Sequence, residues 1–340
     1  MTWYIDEGPD SDVIISSRVR LARNLEGTPF PHRLDQQRSK KIALEITNAF
    51  FADDAARRSQ FLTLDLNELS QEDQMSLVEK RLISEDLVHK DNWHRAIISR
   101  DESISIMINE EDHIRIQSMR AGQNLENAYE AAAETASVFE ERLPIAYSDE
   151  FGFLTACPTN TGTGMRSSVM AHLPGLTIAG AMRPVAESLS KMGFVVRGMY
   201  GEHSKSQGDL YQISNQLTLG ISETDLISDL KRMLQQLIEQ ERNNRVTLYD
   251  QQPDMIENKV MRAYGILRFA RLMTTEEALS LLSDVRFGQS IGLLKTVSRR
   301  DLNQIQSAIG PASIQKAHGR LMTPEERDRE RAKIIRDLLK

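Results

Sequence analysis

The chain has 340 residues, of which 40% are hydrophobic and 27% are charged, a balance typical of globular proteins with a sizeable core. Its formal net charge of -7 gives no overall attraction to nucleic acid, and no apolar run approaches the ~20 residues of a membrane-spanning helix. The single cysteine excludes an intramolecular disulfide, and the acidic start of the chain lacks the pattern of a signal peptide, so we expect a cytoplasmic protein.

The first two thirds of the chain mix two hydrophobic periodicities. Those of about 3.6 residues predict helices at residues 34–51, 74–86 and 124–143. Alternating or short apolar runs predict strands at residues 13–15, 103–108, 146–156 (a hairpin), 193–199 and 210–219. A further helix is predicted to begin at Ser167 and to end at Pro174-Gly175. Strands and helices mixed in this way predict an α+β domain.

The last third of the chain contains helical patterns and no clear strand. The helices are predicted at residues 224–242, 254–272, 275–286, 299–309 and 324–339. Two of them begin with the chemistry of a capping box, since Thr274 precedes Glu277 by three residues and Thr323 precedes Glu326 likewise. We therefore predict a catalytic domain over residues 1–240 and an all-helical domain over residues 241–340.

Five arginines lie at strand ends and turns of separate segments, two of them together in SSRVR. Alone, each is more often a solvated charge than a ligand. Together they suggest a cage for a polyphosphate, because the guanidinium group offers phosphate a rigid fork of donors. The sequence has no G-x-x-x-x-G-K-[ST] phosphate loop, so a nucleotide would be held by the arginines and by glycine-rich loops. The five are Arg18, Arg20, Arg115, Arg166 and Arg197.

The acids and the thiol suggest a cationic second ligand. Glu111 lies in the run NEEDHIR directly after a strand, and Glu202 lies on the turn YGEH. Carboxylates beside a phosphate cage would be repelled unless a cation such as a guanidinium lay between them. Cys157 opens the loop CPTNTGTGMR, whose glycines and threonines indicate a turn, although a buried small hydrophobe remains the alternative. No histidine and cysteine spacing indicates a zinc site.

These segments resemble those of a known enzyme family. SSRVR, NEEDHIR, CPTNTGTGMR and the RG-x-x-GEH turn occur in the order found in the ATP:guanidino phosphotransferases, or phosphagen kinases. The resemblance implies a phosphagen-kinase-like fold, an antiparallel β-sheet flanked by helices. Because the SSRVR motif begins at residue 16 and a helical tail follows, the chain most resembles the protein-arginine kinase branch. The implied reaction transfers the γ-phosphoryl group of ATP, with Mg²⁺, to arginine side chains of proteins.

The resemblance also implies roles for individual residues. Glu111 and Glu202 would hold the substrate guanidinium, with the thiol of Cys157 beside it. Arg327 and Asp328 would belong to a second site that recognises phosphoarginine. The positions implied to bind the nucleotide are Ser16, Ser17, Arg18, Val19, Arg20, Arg81, Arg115, Arg166, Ser167, Ser168, Val169, Met170, Arg197, Gly198, Met199, Tyr200 and Gly201.

Two departures from the family pattern leave alternatives open. Lys205 stands where small-molecule guanidino kinases often carry a carboxylate, and Arg81 stands where the family usually has a histidine near the adenine. The alternatives are a kinase for a free guanidine such as arginine, and a weakly active phosphoarginine-binding adaptor. The resemblance further implies a stress-gene repressor among the substrates, a zinc-containing activator protein and an AAA+ protease partner. A helical tail beyond the catalytic domain is a natural dimerisation surface, so we expect a homodimer or higher homo-oligomer.

Overall fold

The computed structural model describes residues 2–52, 54–88, 92–198 and 207–340. Within these ranges the strands are β1 (Ile14–Arg23), β2 (Phe61–Asp65), β3 (Arg95–Ser99), β4 (Ile104–Ile108), β5 (Ile114–Ala121), β6 (Tyr147–Ser148), β7 (Gly152–Phe153), β8 (Met165–His172), β9 (Phe194–Gly198) and β10 (Leu210–Asn215). Eight of them form one antiparallel sheet in the order β2-β3-β4-β5-β1-β8-β10-β9, and β6 pairs with β7 as the predicted hairpin. The α+β prediction is confirmed.

The two strands at the centre of the sheet differ from the prediction. Strand β1 is ten residues long and carries the SSRVR motif inside it, where a short strand at 13–15 was expected. The predicted helix from Ser167 is wrong, because those residues form β8, paired with β1 on one side and β10 on the other. A central strand is buried on both faces, so its sequence loses the polar and apolar alternation that identifies a half-buried strand.

The helices follow the predicted pattern more closely. They are α1 (Gln36–Phe51), α2 (Ala55–Gln60), α3 (Gln71–Glu79), α4 (Leu125–Glu140), α5 (Pro174–Ile178), α6 (Met182–Lys191), α7 (Glu223–Gln251), α8 (Pro253–Phe269), α9 (Thr275–Ser290), α10 (Arg299–Ala308), α11 (Pro311–His318) and α12 (Pro324–Leu338). The capping box of Thr323 and Glu326 is complete, whereas at Thr274 one half of the box is formed, in which the Thr274 hydroxyl accepts from the Glu277 amide. None of the described helices is long and apolar enough to cross a membrane.

One face of the sheet packs on helices and forms the main core. Val19 and Val169 are within 1% of complete burial, in a cluster that includes residues of α1, α4 and α7. Phe50 of α1 stacks on Phe139 of α4 with ring centroids 5.5 Å apart. Burial of such side chains stabilises the fold by roughly 1.5–3 kcal/mol each. The helical layer therefore occupies this face and leaves the opposite face of the central strands for polar side chains.

The C-terminal helices have a core of their own, which includes Val260, Leu282, Leu302 and Ile335. Helix α7 continues through residue 240, so the domain boundary between residues 240 and 241 stays a prediction.

A buried ion pair of α7, Arg245 with Glu241, links this helix to the sheet. Arg245 Nε donates to Glu241 Oε1 at 2.6 Å, and the other guanidinium nitrogens donate to the backbone carbonyls of Asp12 and His172. Glu241 also accepts from the Gly175 and Leu176 amides, so both charges are fully hydrogen-bonded.

Candidate active site

Strand register places the predicted arginines on one face of the sheet. Directly opposed residues of antiparallel strands point to the same side. Arg20 of β1 faces Arg166 of β8, and Ala22, one pleat further along β1, faces Arg115 of β5. Arg18 faces Ser168, whose hydroxyl accepts from its Nε at 3.2 Å. These arginines therefore stand on the face opposite to the helical core.

The fifth arginine reaches the same face through the outer strands. Arg197 of β9 lies opposite Gln212 of β10, which lies opposite Met170 of β8. Met170 in turn faces Ser16 of β1, two residues from Arg18. The row Ser16, Met170, Gln212 and Arg197 thus continues the arginine-bearing surface, which we call the arginine face.

The positive charges on the arginine face repel one another. Burial, followed by the neighbouring Arg81, Arg115 and Arg166, lowers the pKa of Arg18 to about 9. Burial and repulsion from neighbouring arginines also lower the pKa of Arg20. The pKa of Arg166 is lowered by burial and then by the charge of Arg197. Guanidinium groups are charged at neutral pH in proteins, so like charges lie close together on this face. A bound polyanion would relieve the repulsion.

The acidic run at the end of β4 supplies the counter-charges. Burial alone would raise the pKa of the Glu110 carboxyl, but Arg115, the Glu111 amide and the Ser84 hydroxyl lower it to about 2. Glu110 forms an ion pair with Arg115 and accepts from Glu111 N at 2.9 Å. For Arg115, burial lowers the pKa and Glu110 more than compensates, so the pKa is raised. Glu110 therefore fixes one arginine and the backbone beside Glu111.

Asp112 fixes the loop that carries the thiol. Its Oδ1 accepts from Ala156 N at 2.8 Å and from Asn24 Nδ2 at 2.7 Å, so it joins the end of β1 to the residue before Cys157. The side chain of Asp112 is 1% exposed. Cys157 itself is only half-buried, with Sγ 3.0 Å from the Thr159 hydroxyl, so it is not a core hydrophobe.

These groups converge on a single cleft, which has a volume of about 190 Å³. Its walls include Arg20, Arg115, Arg166, Arg197, Glu111, Asp112, Cys157, Thr159 and Asn160. The Nε atoms of Arg20 and Arg166 are buried and have no hydrogen-bond acceptor within the described ranges. A polyphosphate supplies acceptors for such donors, so the residues present fit ATP. The cleft thus brings together four of the predicted arginines, one predicted carboxylate and the predicted thiol, and Arg18 lies on the same face of the sheet.

The remaining predicted positions divide between the two faces. Ser16, Ser168 and Met170 lie on the arginine face, whereas Ser17, Val19, Ser167 and Val169 alternate to the helical side. Ser17, for example, donates to the Gly122 carbonyl at 2.8 Å. Gly198 ends β9 opposite Tyr211. Arg81 has a φ of 62°, and its carbonyl accepts from Gln117 on the arginine face, which places it beside Arg18.

Two groups of predicted residues are not among the described walls of the cleft. Glu202, Met199, Tyr200 and Gly201 fall outside the described residues. Arg327 and Asp328 lie in α12, where Arg327 Nη1 donates to the Met322 carbonyl at 3.2 Å. Asp328 pairs with Arg331, a fully buried arginine that also donates to the carbonyls of Ile309 and Met273.

Sequence reasoning missed three residues that hold the others in place: Glu110, Asp112 and Arg331. Glu110 and Asp112 belong to the same acidic run as Glu111, and only the burial of each side chain separates their roles. One signal of the sharp turn is present in the sequence, namely Asn109 directly before the acidic run. In the structure Asn109 adopts a φ of 61°, a conformation that Asn tolerates at a turn after a strand. Arg331 lies four residues after Arg327, on the same side of a helix.

Two family models match the chain in succession. The ATP:guanido phosphotransferase C-terminal catalytic domain matches residues 41–244. The C-terminal domain of the protein-arginine kinase McsB matches residues 253–340.

Relatives and solved structures agree with these matches. A protein-arginine kinase of Pelotomaculum thermopropionicum is 43% identical over 98% of this chain and 94% of its own length, and one of Brevibacillus brevis is 40% identical over 99% and 95%. The duplicated taurocyamine kinase of Schistosoma mansoni, solved with components of a transition-state analogue, superposes with a TM-score of 0.62 at 28% identity, over 70% of this chain and 34% of that one. Lombricine kinase has a TM-score of 0.61 at 23% identity, over 69% and 68%, and shares the fold. The chain therefore belongs to the ATP:guanidino phosphotransferase family and, within it, to the protein-arginine kinases.

Proposed function

We propose that this kinase transfers the γ-phosphoryl group of ATP to arginine side chains of proteins, with the cleft residues in the following roles. The observation that carries the proposal is the convergence of the arginine face with Glu111 and Cys157 on one cleft. Phosphoryl transfer requires in-line positioning and neutralisation of charge on the phosphate oxygens. Arg20, Arg166 and Arg197 are suited to the second task.

The acceptor nitrogen must lose a proton during the reaction. A guanidinium has no available lone pair on its nitrogens. Glu111 takes the proton as the N–P bond forms and the bond from the γ-phosphorus to the bridging oxygen breaks, so that ADP leaves. Cys157 contacts the guanidinium and orients it. We also propose that Glu202 holds the far side of the guanidinium, on the strength of the family resemblance.

Mg²⁺ is the metal we propose for this reaction. The walls of the cleft are rich in guanidinium groups, and within the described ranges no group of three His, Cys, Asp or Glu side chains is arranged to hold a metal ion. Such a donor set fits an ion held mainly by phosphate oxygens and water, as Mg²⁺ usually is. When bound it would neutralise phosphate charge together with the arginines.

The experiment incubates the protein with Mg-ATP and an arginine-rich protein, and separately with free L-arginine. Products are analysed by mass spectrometry without acid, which cleaves P–N bonds. Phosphoarginine in the protein sample alone is the expected result. Transfer to free arginine would support the small-molecule alternative, and no transfer to either would support the adaptor.

The role of Glu111 has its own test. Removing a general base typically costs ~100-fold or more in rate, so Glu111→Gln should lower kcat by at least about 100-fold. The control is Glu187→Gln, which breaks an exposed pair with Arg183; neither residue lines the cleft. Turnover of Glu111→Gln near that of the control would remove Glu111 from this role.

The partners implied by the resemblance are kept as proposals. They are a stress-gene repressor as substrate, a zinc-containing activator and an AAA+ protease, in the cytoplasm. Self-association is supported by exposed apolar side chains of the helical domain, such as Phe269 (72% exposed) and Leu272 (51%). Sedimentation of the wild type against Phe269→Asp tests it, and a monomeric wild type would contradict it.

A further inference from the structure

A second cavity opens at the far end of the arginine face. Ser16 and Met170 of the sheet line it, together with Arg81. Ser16 lies four residues along β1 from Arg20, which is about 13 Å at ~3.3 Å per residue. Ribose and phosphates of an extended nucleotide bridge a gap of that size, so a triphosphate held by the arginines brings its base to this cavity.

The other walls come from outside the sheet. Trp3, near the start of the chain, and Asn303 and Gln306 of helix α10 also line the cavity. Trp3 provides a flat aromatic surface, and its indole Nε1 is buried with no acceptor in the part of the chain that the structure describes. An aromatic ring is the side chain on which a base stacks.

A buried arginine, Arg286, determines how the side-chain amides of Asn303 and Gln306 are oriented. Arg286 donates through Nη1 to Asn303 Oδ1 at 3.0 Å and through Nη2 to Gln306 Oε1 at 3.2 Å. Arginine has no acceptor, so the oxygen of each amide must face it. The NH₂ groups of Asn303 and Gln306 are therefore the donors on the other side. A ligand for this cavity must offer acceptors, as the ring nitrogens of a purine do.

A carboxylate of the catalytic domain holds the helical wall in position. Glu79 accepts from the Ala312 and Ser313 amides at 2.7 Å each, at the first turn of α11, and from the Ser313 hydroxyl. A Cβ at Gly310 would lie 2.2 Å from Glu79 Oε2, so a larger residue there would displace the Glu79 carboxylate. Glu79 precedes Arg81 by two residues. The link therefore fixes α10 and α11 against the turn beside Arg18.

We propose that the C-terminal helical domain completes the nucleotide site: the purine base enters the second cavity, against Trp3, and accepts hydrogen bonds from Asn303 and Gln306. This assignment rests on the proposed function, because the phosphates must occupy the arginine face. Arg286 acts through the two amides and is a positioning residue. Gln306, half-exposed and not needed for the core, is a specificity determinant for the base.

The decisive variant is Gln306→Glu. The new carboxylate keeps an acceptor for Arg286 but replaces the donor that faces the base with an acceptor. The control is Gln304→Glu, which makes the same charge change on the exposed side of α10. Calorimetry on the full chain measures the Kd of ADP and of inorganic tripolyphosphate for each variant. We expect Gln306→Glu to raise the Kd of ADP by about 10-fold or more. Tripolyphosphate should change by less than about 2-fold relative to the Gln304→Glu control, because it has no base for Gln306 to contact and the control carries the same added charge.

Fluorescence provides an independent readout, since the chain has two tryptophans. In Trp93→Phe, Trp3 is the only tryptophan, and its emission should change saturably with ADP and not with tripolyphosphate. Equal ADP affinities for Gln306→Glu and Gln304→Glu would overturn the proposal. An equal loss of affinity for ADP and for tripolyphosphate in Gln306→Glu would also overturn it, because the substitution would then act through the arginine face.

The same preparations separate this proposal from the proposed function. If wild-type protein phosphorylates a basic protein while Gln306→Glu and Gln304→Glu bind ADP alike, the base site is wrong and the function stands. If wild-type protein binds ADP at Trp3 and transfers no phosphate, the function is wrong and the base site stands.

Discussion

The ion pair of Glu110 with Arg115 predicts a specific dependence of stability on pH. The Glu110 side chain is 1% exposed, and its pKa is lowered from 4.5 to about 2. A tenfold change in an acid dissociation constant corresponds to about 1.4 kcal/mol, so the ionised form stabilises the fold by about 3 kcal/mol near neutral pH. That stabilisation is fully present above pH 4.5 and is lost as the pH falls towards 2.

The perturbation is Glu110→Gln, which keeps the shape and removes the titration. At pH 7 the variant should have a free energy of unfolding about 3 kcal/mol below that of the wild type. By pH 3 the difference should shrink by about 2 kcal/mol, because Glu110 in the unfolded chain is then protonated and the ionised form is less favoured. Other carboxylates titrate in both proteins and cancel in the difference.

Urea unfolding at pH 7, 5, 4 and 3 in the absence of nucleotide measures this difference. Glu187→Gln serves as control, since its pair with Arg183 is exposed and such pairs contribute less than about 1 kcal/mol. A difference between Glu110→Gln and wild type that stays constant from pH 7 to pH 3 would refute the assignment of Glu110 as the charge that holds Arg115.

Three further predictions concern the thiol, its support and the buried ion pair of α7. Cys157→Ser should lower kcat by about 10-fold or more with an unchanged melting temperature, since the thiol is half-buried and is proposed to contact the substrate; unfolding of the variant would contradict that role. Asp112→Ala leaves the Ala156 amide without its acceptor, so it should cost about 1–3 kcal/mol in urea unfolding and lower kcat more than it raises KM for ATP. Glu241→Ala leaves Arg245 buried without its carboxylate and should cost about 3–5 kcal/mol, measured by the same unfolding curves, with Glu239→Ala on the exposed side of α7 as control.

Local patterns predicted most of the helices because their information lies in neighbouring residues. The periodicity at 34–51 corresponds to helix Gln36–Phe51, and the capping box at Thr323 marks the start of α12. The two-residue spacing of Arg18 and Arg20 also sufficed to place both on one face of a strand. Strand β8 was missed for the opposite reason, because its assignment depends on neighbours on both sides in the sheet.

The site required strand register, which no local pattern contains. Arg20 meets Arg166 across 146 positions of sequence only because β1 and β8 pair with that register. The distinct functions of Glu110, Glu111 and Asp112 depend on which carboxylate is buried and what it contacts. The family motifs supplied the identity of the arginines, but they contain nothing about the amides of α10, which come from a different domain.

The contacts of α12 connect the predicted phosphoarginine site to the proposed base site. Arg331 donates to the Ile309 carbonyl at 2.8 Å, directly after the end of α10, whose residue Gln306 lines the second cavity. A ligand that drew Asp328 away from Arg331 would act on a guanidinium that is bonded to the end of that helix. Coupling between two sites can pass through an element that both bias, and α10, with Ile309 at its end, is the element we propose. If it carries the coupling, phosphoarginine should change the affinity for ADP in wild-type protein, and the change should disappear in Gln306→Glu.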